Sequence, residues 1–113
     1  MSTDALSLTF AALGDPTRRA ILARLANGQA TVNELAAPFN VTLQAISRHL
    51  KVLERAGLIA RGKNAQFRPC RLEAGSLDPA LNWMAQHRQI WEERFDKLEQ
   101  HLMEIETKSK ETR

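Results

Sequence analysis

With 113 residues, 43% of them hydrophobic and 26% charged, the chain matches ordinary globular usage, which argues against disorder and leaves room for a single domain over 1–113. No apolar run approaches the roughly 20 residues of a membrane helix, and the opening Met1-Ser2-Thr3-Asp4-Ala5-Leu6 lacks the basic and apolar stretches of a secretory leader, so a cytoplasmic protein is expected. The formal net charge of +3 is modest, so its distribution carries more information than its sum.

Leu6, Phe10 and Leu13 recur at helical spacing and Gly14 can close that first helix. Asp15-Pro16 then supplies an N-cap carboxylate and a proline at the first helical position, where a missing N–H costs nothing. The second helix carries Ile21, Leu22 and Leu25 inward and stops at Asn27-Gly28. Thr31-Val32-Asn33-Glu34 reads as a capping box opening a third, short helix with Leu35 and Ala36 on its apolar side, and Pro38 argues against continuation past Ala37. After Phe39-Asn40-Val41, Thr42 is placed to cap a fourth helix whose Ile46, Leu50 and Leu53 form a stripe, and which ends at Gly57.

Two short helices closely joined, the second capped by a hydroxyl and followed by a basic segment, form the pattern of a helix-turn-helix, here at about 31–56. Leu58–Arg61 and Gln66–Leu72 around Gly62-Lys63-Asn64-Ala65 read as a hairpin, the wing at about 58–72, with Pro69 suited to an edge strand. Seven basic residues and one acid, Glu54, fall between Gln44 and Leu72, whereas the rest of the chain carries nine basic and twelve acidic residues. A cationic block on a mildly acidic body points to a polyanionic partner.

From Pro79 to about Lys108 there is no glycine and no further proline, and Met84, His87, Trp91, Phe95, Leu98, Leu102 and Ile105 recur every three or four residues. One long amphipathic helix at about 79–108 is expected, longer than a domain of this size covers with its own core. Its surplus apolar face, with Trp83, Trp91, Phe95, Leu98 and Leu102 and with Leu6 and Phe10 of the first helix, predicts a homodimer interface. The fold class is therefore mainly α with a small β-hairpin: a winged helix-turn-helix with a long C-terminal dimerisation helix.

Three segments, Leu13-Gly14-Asp15-Pro16-Thr17-Arg18-Arg19-Ala20-Ile21-Leu22, Ile46-Ser47-Arg48-His49-Leu50-Lys51-Val52-Leu53-Glu54-Arg55-Ala56-Gly57-Leu58-Ile59 and the basic hairpin, together closely resemble the ArsR/SmtB family of bacterial repressors. The resemblance covers nearly the whole chain in the right order. It implies a dimeric repressor of a small operon, its own gene among the candidates, bound to a two-fold symmetric operator in double-stranded DNA and released by a signal whose identity, a small-molecule inducer included, is left open. Metal sensors of the family carry a cysteine motif on the third helix, where this sequence has Thr31-Val32-Asn33-Glu34-Leu35-Ala36-Ala37. Others bind metal on the last helix, for which His87, His101 and Glu104 are the candidates here, but the family's Asp-x-His is replaced by Asp78-Pro79-Ala80. The sequence resembles the metal-free branch, so no metal and no cofactor are expected.

The outward face of the fourth helix presents Gln44, Ser47, Arg48, Lys51 and Arg55. Gln44 and Arg48 are expected to read bases, Ser47 a base or a phosphate, Lys51 and Arg55 to hold phosphate, and Thr42 to cap and touch phosphate. Arg61, Lys63 and Arg68 belong to the wing, and His49 is expected to pack or to meet phosphate. Arg18 and Arg19 are expected on phosphate or on acids of the last helix. Alternatives are a metal-responsive repressor of the same family and an adapter whose last helix binds another protein. An enzyme is disfavoured: Cys70, the single cysteine, has no histidine near it in sequence, and Ser47 and His49 point to different faces of one helix.

Overall fold

The computed structural model describes residues 4–62 and 68–111. Lys63, Gln66 and Phe67 of the expected wing lie outside the described residues. The order is α1 (Ala5–Leu13), α2 (Pro16–Leu25), α3 (Val32–Ala36), α4 (Leu43–Arg55), β1 (Ile59–Arg61), β2 (Cys70–Leu72) and α5 (Asp78–Glu111). The chain divides into two compact units, Met1–Ala80 and Leu81–Arg113.

Short polar caps set the helix starts in the first unit. Asp4 accepts from the Ser7 amide and Asp15 from the Arg18 amide. Thr31 and Glu34 form the reciprocal capping box, and Thr42 accepts from the Ala45 amide. The α3–α4 connection runs over residues 37–42, because α3 ends at Ala36 and Thr42 is itself the cap. Gly57, at φ 77°, closes α4: its amide donates to the Glu54 carbonyl and the Leu58 amide to that of Leu53. A left-handed residue is what this double closure requires, and it turns Leu58 back onto Leu53, both of them buried.

Ile21, Leu25, Leu35, Ile46, Leu50, Leu53, Leu58, Ile59 and Cys70 build one core, with α4 packed against α1, α2, α3 and β1. On α1 Thr9 and Ala12 are the buried residues while Phe10 is exposed, so the core contact of this helix is made by residues the sequence reading did not name. The segment Ala5-Leu6-Ser7-Leu8-Thr9-Phe10-Ala11-Ala12-Leu13 is apolar on several sides, so periodicity alone does not choose the inward one.

The strands pair antiparallel in the register Ile59↔Leu72, Ala60↔Arg71 and Arg61↔Cys70. They are shorter than expected, and β2 is not simply an edge. Ala30, just before α3, bridges Cys70 from the other side with paired backbone hydrogen bonds of 3.1 and 2.7 Å. Pro69 precedes β2 and contributes its carbonyl, which accepts from the Gly62 amide, so its missing donor is not called on.

In the second unit α5 continues without a break, three residues beyond the expected end at Lys108. Every residue from Leu81 to Lys110 is exposed.

Candidate nucleic-acid interface

The buried stripe of α4, Ile46, Leu50 and Leu53, fixes which side of the helix faces out. Gln44, Arg48, Lys51 and Arg55 are exposed and Ser47 is half-buried. Gln44, Ser47, Arg48 and Lys51 together with Leu43 line one shallow surface depression. Thr42 sits at the exposed mouth of the helix, its Oγ1 3.1 Å from the Ala45 amide nitrogen. The structure thus brings five of the expected contact residues onto the first turns of one helix, with Arg55 at the last. The helix N-terminus adds partial positive charge and amide donors to the same end, a setting that favours phosphate.

The wing residues separate. Arg68 is exposed. Arg61, paired with Cys70 across the strands, shares the inward face of β1 with buried Ile59 because strand side chains alternate. It is half-buried, and its Nε is buried without a hydrogen-bond partner among the described residues. Burial pushes the Cys70 thiol above its ordinary pKa although the Arg61 charge beside it pulls the other way, so the thiol stays protonated and unreactive at neutral pH. Arg71, on the opposite face and exposed, pairs with Glu73 at 3.7 Å.

Arg18 and Arg19 make contacts that the sequence reading did not foresee, whereas His49 packs, one of the two roles expected of it. Arg18 Nε and Nη2 donate to the carbonyls of Ala12 and Ala11 at 2.8 and 3.0 Å, and Arg19 Nη1 donates to that of Leu13 at 2.7 Å. The two guanidiniums therefore close the end of α1, where carbonyls lack helical partners. Arg18 Nη1 also lies 3.3 Å from His49 Nδ1, and Asp15 Oδ2 lies 3.8 Å from the same nitrogen. His49 is thus tied to the α1–α2 junction, which anchors the presenting helix to two others. The amide of Arg18 and the nearby charges of His49 and Arg18 hold the Asp15 carboxyl below its ordinary pKa. Sequence reasoning identified the Asp15 cap but not this cluster, since its partners are 31 residues apart and only folding brings them together.

Among the described residues no three His, Cys, Asp or Glu side chains stand close enough to hold a metal ion. No helix among them is long and apolar enough to cross a membrane.

A helix-turn-helix domain family model matches residues 13–61. The transcriptional repressor SdpR of Bacillus subtilis (strain 168) is 39% identical over 75 residues, a stretch covering 66% of this chain and 83% of that protein. Among solved structures, the chain is similar to the crystal structure of an ArsR family transcriptional regulator at 40% identity and a TM-score of 0.74, covering 79% of this chain and 98% of that one. The fold is also that of a homodimeric winged helix-turn-helix DNA-binding domain from Mycobacterium bovis, a possible ArsR-family regulator, at 24% identity and a TM-score of 0.59, covering 81% of this chain and 82% of that one. From the capped helix pair to the hairpin and the long last helix, the architecture and these likenesses agree, and the chain belongs to the ArsR family of winged helix-turn-helix transcriptional regulators.

Proposed function

We propose that the protein is a homodimeric, sequence-specific DNA-binding repressor of a small operon, its own gene among the candidates. The observation that carries this reading is the exposed face of α4, where Gln44, Arg48, Lys51 and Arg55 stand opposite a fully buried stripe. Gln44 and Arg48, nearest the helix start, read base edges in the major groove, glutamine suiting adenine and arginine guanine. Ser47 meets a base or a phosphate. Thr42, Lys51 and Arg55 hold phosphate, which positions the protein without reading sequence. Arg68 and Lys63 follow the backbone from the wing, and Arg61 adds its charge from the wing's base.

Leu6 and Phe10 of α1 and Trp83, Trp91, Phe95, Leu98 and Leu102 of α5 form the contact between protomers. A two-fold dimer then sets its reading helices on successive major grooves, ~34 Å apart. Repression is independent of transition metal. Thr31–Ala37 offers no thiol, and Asp78-Pro79-Ala80 stands where the family's metal sensors have Asp-x-His.

The test is selection of a cognate site from random duplexes, followed by affinities of two variants. Arg48→Ala is expected to cost roughly 1–3 kcal/mol at the selected site and to relax discrimination there. Lys51→Ala is expected to weaken all sequences alike and to lower the salt slope by about 1. Equal effects of both variants on selected and random DNA would overturn the assignment.

A further inference from the structure

We propose that Leu43 determines sequence specificity, its side chain packing on the 5-methyl group of a thymine in the major groove; this rests on the DNA-binding reading above and adds an apolar contact to it. Among the described residues of Met1–Ala80, the two most exposed large apolar side chains are Leu43, at 51%, and Val41, at 46%. They flank Thr42, the cap of α4. A single exposed leucine is ordinary on a protein surface, so the argument lies in its place. Val41 stands just before the cap, where an apolar side chain commonly packs on the fourth residue of the helix, here the buried Ile46. Leu43 lacks that role. It is the first residue of α4, where glutamine, glutamate or lysine would serve helix propensity as well and the helix dipole favours an acid.

Residues four apart on a helix share a row. Leu43, Ser47 and Lys51 form one row, Gln44 and Arg48 the row beside it, and these five line a single depression on the outward face. Ser47, half-buried and small, leaves room beside the leucine for a methyl group. The first turn of a reading helix is the part that meets base edges, and Leu43 and Gln44 begin that turn together. In the major groove thymine alone of the four bases presents a methyl group, which an aliphatic side chain matches in shape and in having nothing to donate or accept. The phosphate backbone is a poor alternative. A leucine against it would take phosphate oxygens out of water without returning a hydrogen bond.

The experiment uses the full-length chain and a duplex selected from random sequences. Each thymine of the half-site is replaced in turn by deoxyuridine, in both half-sites at once, which removes the methyl group and leaves every hydrogen-bonding edge in place. With the native chain, one such replacement is expected to lower affinity about fourfold per half-site, the value of one buried methyl group. Leu43→Ala is expected to bind the thymine and deoxyuridine duplexes alike at that position while still discriminating at the others. Leu43→Met, apolar and of similar volume, is expected to keep the difference. Leu43 is more than half exposed, so neither variant empties the core. If no replacement costs the native chain affinity, or if the penalty is the same in Leu43→Ala, the proposal is overturned while DNA binding stands. Equal weakening of selected and random duplexes by Leu43→Ala would put the leucine on the backbone and overturn it too. Failure to select any site, with affinity indifferent to salt, overturns the DNA-binding reading itself.

Discussion

The two units of this chain use apolar residues in opposite ways. Within Met1–Ala80 the large side chains of α2, α3 and α4 point at one another, and Ile21, Leu35, Ile46, Leu50 and Leu53 are sealed from solvent. Within Leu81–Arg113 Trp91, Phe95, Leu98 and Leu102 are as regularly spaced but exposed. The first pattern is explained by the unit's own fold. The second is not explained by the unit's own fold, and a stripe of that length is what the proposed contact between protomers would cover. The contrast separates what a single chain must do to fold from what it must do to assemble.

Paired substitutions sharpen that comparison most strongly. Leu50→Ala, which empties a fully buried position under the presenting helix, should cost about 2–5 kcal/mol of unfolding free energy by denaturant titration. Phe95→Ala with Leu98→Ala should leave the stability of the first unit unchanged at concentrations where the chain is monomeric, and should shift the dimer equilibrium toward monomer by several kcal/mol. If instead the double variant unfolds the monomer, the stripe is core and the comparison fails.

The presenting helix was readable in the sequence because its signals are local. Thr42 as cap, the Ile46, Leu50, Leu53 stripe and Gly57 as terminator act within a few residues of one another, so spacing alone orients Gln44, Arg48 and Lys51 outward. The long helix was readable for the same reason. The Ala30–Cys70 bridge was not, because a single pairing between distant segments leaves no periodic trace. Arg18 was misread because an arginine's long stem lets tertiary structure decide between solvent, phosphate and a helix end. Here the carbonyls of Ala11 and Ala12 and the ring of His49 are all within reach. Arg61 shows a narrower failure: strand alternation places it on the face of Ile59, but its charge argued for solvent.

Acid should have a smaller effect, and on the first unit. Asp15, Asp4 and Glu34 are held below their ordinary pKa values chiefly by the backbone amides of Arg18, Ser7 and Thr31 respectively. Carboxylates with depressed folded-state values stabilise the fold at pH above the unfolded-state values, and that contribution is lost as pH falls through the folded ones. Thermal melts should therefore be level from neutral pH to about pH 5 and decline below it. Asp15→Asn, which keeps a capping oxygen but cannot titrate, should flatten part of the decline. An unchanged acid profile in this variant would place the titrating groups elsewhere.

The central claim, that the outward face of α4 and the cationic block around it engage duplex DNA, is tested most directly by measuring affinity for a selected site as a function of salt. Two protomers each neutralising several phosphates predict a linear log–log plot with a slope on the order of −4 or steeper. A flat plot, with affinity indifferent to salt, would contradict the account.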